Sequence, residues 1–234
     1  MNDGERRTKL MQLASGAVFL AIVVVVALIV LNSSNSDSGG DAESIEGAAE
    51  VSSSLRGIPQ DEMTLGDPKA KVELVEFGDL QCPVCKGFAE EILPPIIENQ
   101  VKNGEVKIDF RNFTIIGPQS VDAAAAALAA GAQGRGWNYV ELFYKNQGAE
   151  NSGYADDAFL EAVAKAAGVK DLAKWNEDRK LLRPQVEETT TEAQQLGFNG
   201  TPSFAINGPG TQGLETLGTP DSTGAFEEAI EGAG

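Results

Sequence analysis

The sequence predicts an α/β domain that contains an inserted block of helices and is preceded by one membrane-spanning helix. Three observations carry this prediction: a charge-free apolar run near the N-terminus, a strand–helix–strand pattern from Lys71 to Phe113, and a return to strand pattern after Phe198. The chain has 234 residues, 42% apolar and 23% charged, enough for a packed core without metals or covalent staples. A net charge of -17 leaves no basic face for nucleic acid. There is no histidine, which removes Ser-His-Asp triads, Cys-His pairs and His-ligated metals together.

The first element is "LMQLASGAVFLAIVVVVALIVL", Leu10 to Leu31, in which only Gln12 and Ser15 are polar. A membrane helix needs about 20 apolar residues, so this run is long enough to span. Arg6, Arg7 and Lys9 precede it and no basic residue follows before Arg56, which places the N-terminus in the cytoplasm and the rest outside. A cleaved signal peptide would have a shorter apolar region and a small-residue cleavage site, and "LIVLNSSNS" offers no good one. The segment from 32 to 57 is rich in Ser, Gly, Asp and Glu, with Ile45, Val51 and Leu55 isolated. It reads as a flexible tether with an end-to-end distance of roughly 25–30 Å; the alternative is a short helix around Ala42 to Leu55. The expected organisation is a cytoplasmic tail at 1–9, an anchor at 10–31, a tether at 32–57 and a folded domain at 58–234.

Within that domain "KVELVEF" supplies the β-branched and aromatic residues of a strand. A helix is expected from about Cys82 to Gln100, with Phe88, Ile92, Ile96 and Ile97 at helical spacing and Pro94-Pro95 kinking it or ending its first half. "EVKIDFRNF" alternates as a second strand, and the βαβ unit makes the two strands parallel. The helical insertion covers about 120–198, opening with Ser120 as N-cap. Its Trp137, Tyr139, Phe143 and Tyr144 are candidates to line a groove, although aromatics at this spacing are more often core. A strand from Ser203 to Ile206, a possible hairpin partner after Pro209, and a helix capped by Asp221 or Ser222 and running to Ile230 complete the chain.

Cys82 and Cys85 are the only cysteines and sit where the first strand gives way to the helix. There the unpaired amides and the positive end of the helix dipole favour thiolate over thiol at Cys82. Cys85, one turn deeper on the same side, is the resolving thiol. A zinc site lacks two ligands of the usual kinds, and copper carriage by the pair with Met63 has no support in the spacing. A structural bridge closing so small a loop would remove little unfolded-chain entropy. The context therefore points to redox chemistry.

"EFGDLQCPVCKGF" after a strand, a helical insertion, and then "GTPSFAING" together resemble the thioredoxin-fold disulfide oxidoreductases of the DsbA type, specifically membrane-tethered bacterial forms. The resemblance covers about Ile58 to Gly234 and implies a thioredoxin-like fold. It also implies that Thr201-Pro202 is a cis peptide beside the active sulfur, with the Thr201 backbone open to an extended substrate and Pro83 and Val84 also at the substrate face. Glu76 matches an acid beneath the pair that can relay the Cys85 proton. Two departures stand out: Val84 occupies a place where strongly oxidising members carry histidine, and Gln81 precedes Cys82 where reductive thioredoxins carry tryptophan.

On this resemblance the chain is an extracytoplasmic thiol:disulfide oxidoreductase that donates its Cys82–Cys85 disulfide to exported unfolded proteins with free thiols. It needs no cofactor beyond that disulfide and is reoxidised by a membrane partner of the DsbB or vitamin K epoxide reductase type. A reductase or isomerase on the same fold, and a non-catalytic tethered binding module, are the alternatives.

Overall fold

A computed structural model describes residues 44–234. The expected tail, the anchor at 10–31 and the first part of the tether lie outside the described residues. Among those described, no helix is long and apolar enough to cross a membrane.

The first described element replaces the last part of the expected flexible tether with the short helix that was its alternative. Helix α1 (Ala48–Ser54) follows Gly47, and Val51 and Leu55 are buried in the main core. The two side chains lie four residues apart on one helix face, and the domain supplies the apolar surface that the segment cannot supply alone. Lys145 pairs with Glu50 at 2.8 Å, and Asn146 exchanges hydrogen bonds with the backbone of Glu46. The packed region therefore begins before Ile58.

Two short strands, β1 (Gln60–Asp61) and β2 (Thr64–Leu65), lead to β3 (Val72–Gly78). Next comes α2 (Pro83–Gly87), continued by a π-helical turn at Phe88–Ile92, α3 (Leu93–Ile96) and a second π-helical turn at Ile97–Val101. Pro94 and Pro95 lack the N–H groups that an α-helical ladder requires at those positions. The chain does not stop there: it widens instead, with the Leu93 amide reaching back to the Phe88 carbonyl, so the helical run continues through both prolines to Val101.

Strand β4 (Val106–Asn112) runs parallel to β3, with Glu76 opposite Phe110 and Gly78 opposite Asn112. The helical insertion then comprises α4 (Pro118–Gly131), α5 (Gly136–Lys145), α6 (Asp157–Ala167), α7 (Leu172–Leu181) and α8 (Arg183–Gln195). Strands β5 (Ser203–Asn207) and β6 (Glu215–Leu217) form the expected hairpin, and α9 (Thr223–Ala233) closes the chain from Ser222. The sheet order is β1-β2-β4-β3-β5-β6, with β3–β4 the parallel pair. This is the thioredoxin-like sheet with its helical insert between β4 and β5.

Ser120 is not the N-cap of α4. The helix begins earlier, with Gly117 at the cap and Pro118 in the first turn, where a proline loses no intrahelical hydrogen bond. Strand β3 is buried along nearly its whole length. Val72 and Leu74 face the large cluster shared with the helices, whereas Val75 and Phe77 face a smaller one with Phe113, Ala193 and Ala205. Trp137, Tyr139, Phe143 and Tyr144 are all core. Gly78 is required by space, because a Cβ there would come 2.6 Å from the Phe110 ring.

Docking of α1 should be measurable. Burying a valine and a leucine stabilises by about 1.5–3 kcal/mol each, so a fragment 58–234 should unfold in urea at roughly 3 kcal/mol less than 44–234. Equal stabilities would show that α1 rests on the domain without supporting it.

Candidate active site

Strand β3 ends at Gly78, and the turn after it is held from several directions. The buried Asp79 carboxylate accepts the Gln81 amide at 2.9 Å with one oxygen and the Ile115 and Ile116 amides at 2.9 and 3.1 Å with the other. Its carbonyl accepts the Cys82 amide at 2.9 Å and the Tyr144 hydroxyl at 3.3 Å. Gln147 donates to the carbonyls of Leu80 and Cys82 at 2.8 and 3.1 Å. The Gln81 side chain donates to the Ser120 hydroxyl at 2.9 Å and accepts the Asn151 amide at 3.0 Å. Turn, insert and the segment after β4 are thus tied together by polar contacts.

Cys82 occupies the N-cap position of α2 in extended conformation, and Pro83 follows in the first turn. Pro83 has no N–H, so the first helix amides free to meet the sulfur are those of Val84 and Cys85. Thr201-Pro202 is cis and lies against the sulfur: the Cys82 thiol donates to the Thr201 carbonyl at 3.3 Å. Cys82 is 6% exposed, Cys85 is fully buried, and both are free thiols. Val84 projects outward at 62% exposure, with Ile115 at 44% on the loop that Asp79 holds.

These surroundings split two chemically identical groups. A hydrogen bond from Cys85 draws the Cys82 pKa down, burial opposes it, and the Thr201 side chain and the Cys85 and Val84 amides pull it further, from 9.0 to about 6. Burial pushes the Cys85 thiol well above its ordinary range, reinforced by its hydrogen bond to Cys82 and by the charges of Cys82 and Glu76. Glu76 is buried beneath the pair and one of its oxygens has no partner. Burial first, then the charges of Glu141 and Cys82, raise its pKa well above the carboxylate range.

The structure brings together Glu76, Cys82, Cys85, Thr201 and Pro202, with Pro83 and Val84 at the helix start. Met63 is elsewhere, its sulfur packed against Gly131 and Gly136 of the insert. Among the described residues no group of three or more His, Cys, Asp or Glu side chains could hold a metal ion. Sequence reasoning missed Asp79, Gln147, Glu141 and the tyrosine hydroxyl of Tyr144. Only Asp79 carried a local signal, as an acid just past a strand and before a helix; Glu141 and Tyr144 reach the site from α5, and Gln147 from the loop that follows it.

A sulfur that ionises near neutrality beside one that does not is the working asymmetry of thiol–disulfide exchange, and the sheet carrying it is thioredoxin-like. Known proteins agree. A family model described as thioredoxin matches residues 59–228. A probable disulfide bond formation protein D of Bacillus cereus is 31% identical over 152 residues, 63% of this chain and 70% of the relative. One of Bacillus anthracis is 29% identical over 202 residues, 84% of this chain and 88% of the relative. The crystal structure of oxidised BdbD from Bacillus subtilis superposes with a TM-score of 0.65 at 26% identity, covering 75% of this chain and 95% of that one.

The chain belongs to the thioredoxin family and is a thiol–disulfide oxidoreductase whose redox centre is the Cys82–Cys85 pair.

The depressed Cys82 pKa makes two outcomes measurable. Thiolate absorbance and alkylation rate should titrate with a midpoint near pH 6, and Thr201→Val, which removes a donor, should raise that midpoint. Between about pH 6 and 9 the folded reduced protein holds a thiolate where the unfolded chain holds a thiol. The reduced form should therefore gain stability as pH rises across that window and lose it as pH falls through about 6. The oxidised form has no thiol to titrate, so the gap between their urea midpoints should vary with pH; a constant gap would place the Cys82 pKa at its ordinary value.

Proposed function

We propose that this enzyme runs in the oxidising direction, donating its disulfide to exported proteins that carry free thiols. The observation that carries the reading is the placement of Cys82 at the amide end of α2 with Cys85 fully buried behind it, which lowers the pKa of the first thiol and raises that of the second. A stabilised thiolate favours the reduced enzyme and leaves readily, so equilibrium tilts toward oxidised substrate.

A substrate thiolate attacks the Cys82 sulfur of the oxidised pair. The bond to Cys85 breaks, Cys85 leaves with the bonding electrons, and Glu76 supplies its proton. A second substrate thiolate then attacks the substrate sulfur of the mixed disulfide and Cys82 leaves as thiolate. The substrate has lost two electrons and the enzyme has gained them. Cys82 is the nucleophile in the return direction and Cys85 the resolving thiol, because Cys82 borders solvent and Cys85 does not.

Exposed Val84 and Ile115, with Pro83, would provide an apolar ledge beside the Thr201-Pro202 segment, whose Thr201 carbonyl loses its Cys82 donor when the pair is oxidised and can then meet an extended chain. Folded proteins bury the apolar segments that such a ledge would grip, so unfolded exported chains are its fitting substrates. The apolar run at 10–31 supports a single-pass anchor with a cytoplasmic N-terminus. Anchoring would hold the site near a membrane oxidant of the DsbB or vitamin K epoxide reductase type, raising its effective concentration.

Equilibration of residues 44–234 with glutathione tests the direction. We expect a reduction potential between the values of about -270 mV for thioredoxin and about -120 mV for DsbA, on the DsbA side of their midpoint. A value at or below thioredoxin's would make the enzyme a reductase. Cys82→Ser should abolish exchange, and Cys85→Ser should accumulate the mixed disulfide with a cysteine-containing peptide.

A further inference from the structure

A cleft of about 360 Å³ lies between α1, the helical run from 83 to 101, and α5, and the exchange chemistry makes no use of it. Glu50, Ala89, Glu90, Ile97, Glu141 and Tyr144 are among its walls. Glu141 brings to it a carboxylate oxygen that is buried and has no hydrogen-bond partner. The same holds for one oxygen of Glu76, and among the described residues no other carboxylate is in this position.

The two acids stand on facing surfaces. Glu76 shares its side of β3 with Gly78, and a Cβ at Gly78 would come 3.1 Å from the Tyr144 hydroxyl. Glu141 precedes Tyr144 by three residues on α5, hence on the same helix face. The groups around Glu141 are Tyr144 and Lys145 on its own helix, Glu76 on β3, Glu90 and Glu98 on the 83–101 run, and Glu50 on α1. The cation on the cleft wall, Lys145, is paired with Glu50, while Glu90 and Glu98 are paired with Lys86 and Lys102. Burial first, eased by Lys145 and reinforced by Glu90, carries the Glu141 pKa to about 8, so its carboxyl holds a proton at neutral pH.

We propose that Glu141 is the outer member of a proton relay joining Glu76, beneath Cys85, to solvent in the cleft. The inference rests on the exchange reaction above. When the Cys82–Cys85 bond breaks, Glu76 gives its proton to the Cys85 sulfur and is left as a buried carboxylate. The two carboxyls are not hydrogen-bonded to each other, so Glu141 returns a proton to Glu76 through a bridging water and takes one from the cleft. On reoxidation the flow reverses: the Cys85 thiol passes its proton inward to Glu76, and its sulfur attacks the mixed disulfide between Cys82 and the oxidant. The Cys82–Cys85 bond re-forms, the oxidant's sulfur leaves with the electrons, and one proton exits through Glu141.

The test is single-turnover reduction of the oxidised full chain by a cysteine-containing peptide from pH 6 to 8, in water and in deuterium oxide. Glu141→Gln keeps the shape of the protonated carboxyl but cannot pass its proton. Direct general acids contribute about 10²–10⁴-fold; a group one step removed should cost roughly tenfold when lost. We expect that slowing at pH 7, a larger solvent isotope effect, and an equilibrium constant with glutathione within about twofold of the wild type's. Glu141→Ala should be slowed similarly and recover with added imidazole, which a cleft open to solvent admits. A Gln variant as fast as the wild type, or an Ala variant that imidazole leaves slow, overturns the relay. Wild-type protein that fails to oxidise the peptide at all overturns the exchange reading itself, and the relay with it.

Discussion

The redox turn depends on one buried carboxylate. Asp79 accepts three backbone amides, one from its own turn and two from the segment after β4. Without it the buried Gln81 amide would lose its acceptor, at about 1–3 kcal/mol for an unsatisfied group, and the Ile115 and Ile116 amides on the partly exposed loop would lose their anchor. The same contacts fix where α2 begins, and so where the Cys82 sulfur meets the free amides. They also hold Ile115 beside the site. Position of the sulfur, its acidity and the apolar ledge around it all follow from this one side chain.

Polar groups in this region fall into two kinds. Asp79, Gln81 and Gln147 have their partners and act as fasteners. Glu76 and Glu141 each keep an unpartnered buried oxygen, an arrangement that costs stability wherever it occurs. Neutral carboxyls lower that cost, and burial keeps them neutral. A carboxyl whose pKa burial raises, next to a sulfur whose charge changes during turnover, can release a proton when the disulfide opens and, once ionised, take one back when it closes. The unfavourable burial and the chemical usefulness have the same origin. Cys82 and Cys85 obey the same rule with opposite outcomes, since three residues of helix separate a site with free amides from one without solvent.

Much of this was legible in the order of residues. Alternation and β-branching marked β3 and β4, and the placement of Cys82-Pro83-Val84-Cys85 at a strand–helix junction marked the site. The hairpin after "GTPSF" and the extent of the helical insert were equally readable. Local pattern failed where tertiary partners decide. Val51 and Leu55 are too sparse to suggest a packed helix until the domain surface they cover is known. Ser120 has the side chain of an N-cap, but Pro118 starts the helix earlier and frees that hydroxyl to receive Gln81. Glu141 and Gln147 belong to the insert and approach the turn only in three dimensions, so no spacing rule could connect them with it.

Val84 leaves the helix start without a charged neighbour for the thiolate, yet the sulfur is still acidified. The Cys85 thiol, the Thr201 side chain and two amides supply what a nearby cation would otherwise supply. The resulting pKa of about 6 lies between thioredoxin's about 7 and DsbA's about 3.5. That intermediate value matters in both halves of a cycle. A more acidic thiolate would leave a substrate faster but attack more weakly, because nucleophilicity falls as pKa falls. In the proposed oxidising direction, Cys82 must leave a substrate and later attack an oxidant, and a sulfur ionised at neutral pH but not stripped of reactivity suits both steps. With valine at position 84 the acidity of the sulfur comes from its hydrogen-bonding neighbours, and the helix start presents an exposed apolar side chain instead of a charge.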